Sequence, residues 1–161
     1  MDNIIKAKKG NKKAIKQVIR ENAEQIYKLV FLHTKYEEDA KRILADTIYF
    51  IEENITKLSE KQNFILWLYK ITIINTNNFL EYVGMIENNK SLDTYYHNGK
   101  INLYEAIDLL DIKYKNVVIL KCYFDLSYED IGQVLDLNPD TVKIYFRQSL
   151  KKIKVSVGEY L

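Results

Sequence analysis

The sequence predicts an all-α protein made of two small helical domains joined by a flexible linker, and three observations carry that prediction. Glycine and proline number only five and one in 161 residues, so the punctuation that a strand-rich chain needs at its turns is missing. Apolar residues recur at intervals of three and four along most of the chain, the period of a helix that buries one face. The rhythm fails in a polar stretch at 84–102 and resumes beyond it, dividing the chain into domains at 1–83 and 103–161 with a linker at 84–102.

The elements follow in order. Ile15, Val18, Ile19, Ile26, Leu29 and Val30 mark a first amphipathic helix, and Leu44, Ile48, Ile51, Ile55 and Leu58 a second. A third is predicted from about Lys61 to Tyr82, with Phe64, Trp67, Ile71 and Ile74 on one face and Ile65, Tyr69 and Ile73 on another, as expected of a deeply covered helix. Its β-branched run Ile71-Thr72-Ile73-Ile74 favours a strand on propensity alone. Trp67 reads as a core residue ahead of a platform for a base. The polar clusters Glu87-Asn88-Asn89-Lys90-Ser91 and His97-Asn98-Gly99-Lys100 form the linker. Helical spacing returns through Leu103, Leu109, Val117, Val118 and Leu120 to two short terminal segments.

Those last segments carry the chemistry. Ser127-Tyr128-Glu129-Asp130 has the form of a capping box, which starts a helix at Ser127. That helix ends near Asp136-Leu137, and Asn138-Pro139-Asp140 starts another, with Asn as N-cap, Pro at the first helical position and an acid in the first turn. Two helices so closely joined, with Ile131, Leu135, Val142 and Phe146 spaced for one shared core, make a helix-turn-helix. At 100° per residue, Val142, Phe146, Ser149, Leu150 and Ile153 turn inward, while Thr141, Ile144, Arg147, Gln148 and Lys151 turn outward. The outer face mixes cations for phosphates with a glutamine able to pair with adenine and an isoleucine suited to a thymine methyl, as reading of the major groove requires. An ordinary helical hairpin with a basic outer surface is the plainer alternative.

Composition excludes other classes. The longest apolar stretch, Phe64 to Ile74, is about eleven residues, well short of a bilayer span. No secretory signal opens the chain, so a cytoplasmic protein without membrane insertion is expected. The single cysteine, Cys122, lies in an apolar run and reads as a small buried hydrophobe. Net charge is only +2, yet six lysines fall within residues 1–16, and Lys143, Arg147, Lys151, Lys152 and Lys154 gather at the other end. His33 and His97 are isolated and no metal-spaced cluster or phosphate-binding glycine loop is present, so no enzyme activity, metal or cofactor is expected.

At these residues the sequence resembles the bacterial sigma factors, specifically the short branch called extracytoplasmic-function sigma factors, over about residues 10–82 and 103–155. Leu126-Ser127-Tyr128-Glu129-Asp130-Ile131-Gly132 with Thr141-Val142-Lys143-Ile144-Tyr145-Phe146-Arg147 looks like region 4. The resemblance then implies that Thr141, Lys143, Ile144, Tyr145, Arg147, Gln148 and Lys151 read the minus-thirty-five element. Phe64, Trp67-Leu68-Tyr69-Lys70-Ile71-Thr72 and Asn78-Phe79-Leu80 look like region 2, which implies contacts to the minus-ten element through Lys70, Thr72, Asn75, Asn77 and Asn78. Glu38-Asp39-Ala40 and the helix through Asp46, Tyr49 and Phe50 look like the segment docking on polymerase, implying core contacts by Asp39, Asp46, Tyr49, Glu52 and Glu53. Three positions depart from the family pattern: Arg42-Ile43-Leu44-Ala45-Asp46 keeps only the last acid of the core-binding motif, Ile74 replaces an asparagine, and Glu81-Tyr82-Val83 replaces arginines. Core RNA polymerase and promoter DNA are the implied partners, with an anti-sigma factor as the implied regulator. A self-sufficient helix-turn-helix regulator and a protein-interaction module with a decayed DNA role stay open beside this reading.

Overall fold

The computed structural model describes residues 2–87 and 101–158, and every regular element among them is helical. The chain divides into two compact units, Met1–Phe79 and Leu80–Leu161.

The first unit opens with α1 (Asp2–Lys8), which the apolar rhythm did not reveal because only Ala7 of its seven residues is buried. Gly10, in the left-handed region at φ 85°, turns the chain into α2 (Lys12–Thr34), whose N-cap Asn11 accepts from the Ala14 amide. Lys35 ends α2 in the left-handed region. Next, α3 (Glu37–Asn54) starts with three acids, Glu37, Glu38 and Asp39, placed where the helix dipole favours negative charge. A single 3-10 turn (Ile55–Lys57) and a loop lead to α4 (Phe64–Glu87).

Strand propensity loses at Ile71–Ile74, which lies inside α4. Ile71, Thr72 and Ile73 are buried, and the hydroxyls of Thr72 and Thr76 donate to the carbonyls one turn back, at 2.7 Å each, so neither of these two buried hydroxyls is left unsatisfied. One apolar core joins Val18, Ile26 and Val30 of α2, Ile43 and Ile51 of α3, and Phe64, Leu68 and Ile71 of α4. Lys8 of α1 donates to the carbonyls of Ser59 and Gln62, at 2.9 Å each, and so ties the loop before α4 to the start of the chain. Helix α4 runs on to Glu87, four residues into the stretch read as linker. Residues 88–100 of that stretch lie outside the described residues.

The second unit contains α5 (Leu103–Asp108), α6 (Ile112–Cys122), α7 (Tyr128–Leu135) and α8 (Pro139–Ser156). Asn102 and Glu105 form a reciprocal capping box at the start of α5. Helix α6 is the central one: every residue from Tyr114 to Leu120 is buried. That burial includes Lys115, which is held by Asp108 at 2.9 Å. Cys122 departs from expectation. It is the last residue of α6 and is exposed, although partial desolvation pushes its thiol pKa up against the smaller opposing effect of Lys121.

Candidate nucleic-acid interface

The helix-turn-helix is built by short-range polar bonds. Ser127 Oγ accepts from the Asp130 amide at 3.0 Å and donates to Asp130 Oδ2 at 2.7 Å. The acid three residues on therefore accepts a hydrogen bond from the capping hydroxyl. Asp136 closes α7 in the left-handed region, with its amide on the Gly132 carbonyl. Leu137 donates to the same carbonyl at 2.9 Å. Asn138 then caps α8 through the Asp140 amide at 2.9 Å, with Pro139 in the first turn. The turn passes so close to α7 that a Cβ on Gly132 would stand 2.6 Å from the Leu137 carbonyl oxygen, so the position admits only glycine without a shift of backbone.

The shared core forms as expected at Ile131 and Val142, both fully buried. Phe146 is half-buried and tilts against Tyr128, with ring centroids 6.1 Å apart. Two inward assignments need correction: Val134, not Leu135, is the second fully inserted residue of α7, and Leu150 is 41% exposed. Leu150 stands about 80° from Val142 on the helical wheel, beyond the width of the face that α6 and α7 cover.

On the outer face, Ile144, Arg147, Gln148 and Lys151 are exposed, and Thr141 and Lys143 are half-buried. Lys143 pairs with Asp140 at 3.1 Å, which offsets part of its charge. Tyr145 is a correction. Its ring packs with the cluster of Ala106, Ile107, Leu110 and Tyr114 and meets Tyr114 edge-on at 5.4 Å, so it belongs to the seam between α6 and α8 and not to the outward face. Sequence reasoning missed Tyr114, which donates from its hydroxyl to Gln148 Oε1 at 2.9 Å.

In the first unit, α4 separates the five polar residues expected to face DNA. Thr72 is fully buried with its hydroxyl on the Leu68 carbonyl, which removes it from any surface contact. Asn75 is half-buried and donates to Thr47 Oγ1 of α3 at 3.2 Å, a link between helices. Lys70 and Asn77 are half-buried and Asn78 is exposed. The Asn77 side-chain oxygen is shielded from solvent with no hydrogen-bond partner among the described residues. Trp67 packs on the core beside Phe64, at 5.9 Å, and also lines a groove of about 370 Å³ with Phe50, Lys70 and Ile74. The core reading of Trp67 thus holds for one side of the ring.

On α3, Asp46, Tyr49, Glu52 and Glu53 are exposed and Asp39 is half-buried, so the helix presents an acidic surface with an aromatic residue 67% exposed in its midst. At its start, Lys41 holds the Glu37 carboxyl below the usual range by hydrogen bond and charge, and Glu37 raises Lys41 in return. No helix among the described residues is long and apolar enough to cross a membrane, and no group of acidic, His or Cys side chains among them could hold a metal.

The family described as Sigma-70, region 4 matches residues 100–153, which contain the helix-turn-helix and the helices behind it. The match falls within the second of the two helical units and makes that unit similar to region 4 of the sigma-70 proteins. Over 161 residues the chain is 25% identical to RNA polymerase sigma factor SigV of Bacillus subtilis, covering 95% of this chain and 96% of that one. It is 24% identical to the ECF RNA polymerase sigma factor SigE of Mycolicibacterium smegmatis, covering 86% of this chain and 59% of that one. Its fold matches a solved structure of the sigma factor RpoE in complex with the anti-sigma factor NepR from Bartonella quintana, with a TM-score of 0.71, 14% identity, and coverage of 88% of this chain and 94% of that one. Along nearly its whole length the chain is thus similar to RNA polymerase sigma factors, one of them of the extracytoplasmic-function type.

Proposed function

We propose that this chain joins core RNA polymerase in the cytoplasm through the acidic face of α3, reads the minus-thirty-five element with α8, and engages the minus-ten element with α4. The observation that carries the reading is the outer face of α8, where Ile144, Arg147, Gln148 and Lys151 are exposed behind a fully formed helix-turn-helix core. Such a face combines charge for phosphates with groups for base edges. On α3 the contacts are Asp39, Asp46, Tyr49, Glu52 and Glu53. On α4 they narrow to Lys70, Asn77 and Asn78, because Thr72 is buried and Asn75 is bonded to α3.

Two readers on one chain gain effective concentration once a large partner holds both near the same promoter, so each can bind weakly alone. Domains at 1–83 and 103–161 with a connection at 84–102 suit that division, the last turn of α4 being part of the connection. Catalysis belongs to the polymerase. An anti-sigma protein, the kind of partner bound in the RpoE structure, is the proposed regulator.

Run-off transcription by core polymerase on a genomic promoter library tests the proposal. Added protein directs initiation at a discrete set of promoters sharing two separated elements. Absence of stimulation across the library overturns it, and tight binding to a palindrome without polymerase favours a self-sufficient regulator.

A further inference from the structure

Gln148 does not lie loose on the outer face. Its Oε1 accepts from the Tyr114 hydroxyl at 2.9 Å, across the seam between α6 and α8. Tyr114 is itself rigidly placed: it is only 9% exposed, packs in the cluster with Ala106, Ile107 and Ile153, and meets Tyr145 edge-on. Lys113 and Lys152 lie over its ring at 4.9 and 5.3 Å from the centroid. A side chain with three rotatable bonds is thereby anchored at its carbonyl end by a group from a different helix.

That anchoring changes what the amide can read. A glutamine pairs with adenine by a two-point fork, the carbonyl accepting from N6 and the NH2 donating to N7. Both ends must then face the groove. Here the carbonyl end is turned to the protein, leaving the NH2, a pure donor, as the end directed outward. Guanine offers two acceptors, O6 and N7, on its major-groove edge, whereas adenine sets a donor beside its single acceptor.

We infer that Tyr114 is a positioning residue for base readout, and that by holding the Gln148 carbonyl it sets the recognition helix to prefer guanine over adenine at the base pair facing Gln148. The inference rests on the proposed reading of the minus-thirty-five element by α8.

The experiment measures initiation by polymerase holoenzyme on promoters randomised across the upstream element, using the full chain and its Tyr114→Phe, Gln148→Ala and Arg147→Ala variants, with thermal unfolding of each recorded in parallel. The full chain prefers guanine at one pair. Gln148→Ala abolishes that preference, and Tyr114→Phe, which keeps the ring and removes only the hydroxyl, lowers the guanine-to-adenine ratio roughly fivefold to tenfold at the same pair while other positions keep theirs. A loss of fold would instead depress all promoters together. The inference is overturned if Tyr114→Phe leaves the ratio unchanged while Gln148→Ala alters it, or if the preferred base is adenine. It is also overturned if Gln148→Ala alters no base preference; should Arg147→Ala then be silent as well, the reading of α8 as the DNA-facing helix falls with it.

Discussion

The carbonyl oxygen of Leu137 sits 2.6 Å from the place a Cβ on Gly132 would occupy, and the Leu137 amide donates to the Gly132 carbonyl at 2.9 Å. The turn of the helix-turn-helix is thus folded directly onto α7. Backbone meets backbone there, so no rotamer change can relieve an added methyl. Gly132→Ala is expected to destabilise the second unit by about 1–3 kcal/mol, the usual cost of overpacking, despite alanine's better helix propensity. Urea unfolding of the full chain checks it; an unchanged or raised midpoint would contradict the close approach.

Arg147 and Lys151 are exposed on the outer face of α8. Each phosphate they neutralise releases counterions, so each alanine substitution should lower promoter affinity of the holoenzyme and reduce the slope of log affinity against log salt by roughly 1. Lys143 should count for less, because Asp140 already pairs with it. A salt titration of holoenzyme binding gives the slopes, and identical slopes for all variants would remove these residues from the DNA.

Thr72 and Lys70 lie two residues apart on α4 but differ in burial. Thr72→Val removes a hydroxyl bonded within its own helix, and should change stability by no more than about 1 kcal/mol and leave initiation untouched. Lys70→Ala should weaken open-complex formation by roughly threefold to tenfold at moderate salt. Abortive initiation assays compare the two, and an equal loss from both would refute the placement of Thr72 inside.

Glu37 and Lys41 stabilise one another's charged forms at the start of α3. Because the folded carboxyl pKa is depressed, the contribution of Glu37 is complete at neutral pH and is lost as pH falls through that depressed value. The raised Lys41 value has the opposite sense: its share is present at neutral pH and is lost as pH rises through it. Both groups lie in solvent, so the effect on stability is small and is best followed at the residue. A carboxyl titration by nuclear magnetic resonance should show Glu37 shifting upward in Lys41→Ala; no shift would mean that the pair does not persist in solution.

Local signals were the legible ones. Ser127, Asn138 and Pro139 announced two helix starts because a cap is an arrangement of neighbours in the chain, and the structure places both starts there. The outward set of Ile144, Arg147, Gln148 and Lys151 followed from helical period alone. Period failed where width mattered: Leu150 and Leu135 stand at the margins of a face, and only the position of the neighbouring helix decides which side of the margin is covered. It failed also at α1, where one buried residue cannot set up a rhythm.

The chain's own order of residues determined the helical class, the site of the helix-turn-helix and the charge on its outer face, because caps, periodicity and charge are properties of residues within a turn or two of one another. Tertiary packing decided the rest: that the β-branched run of α4 is helical, that Thr72 is inside, that Cys122 is out, and that Tyr114 grips Gln148 from thirty-four positions away. Those outcomes depend on which surfaces meet, and burial and bonds between distant segments exist only once the helices have docked.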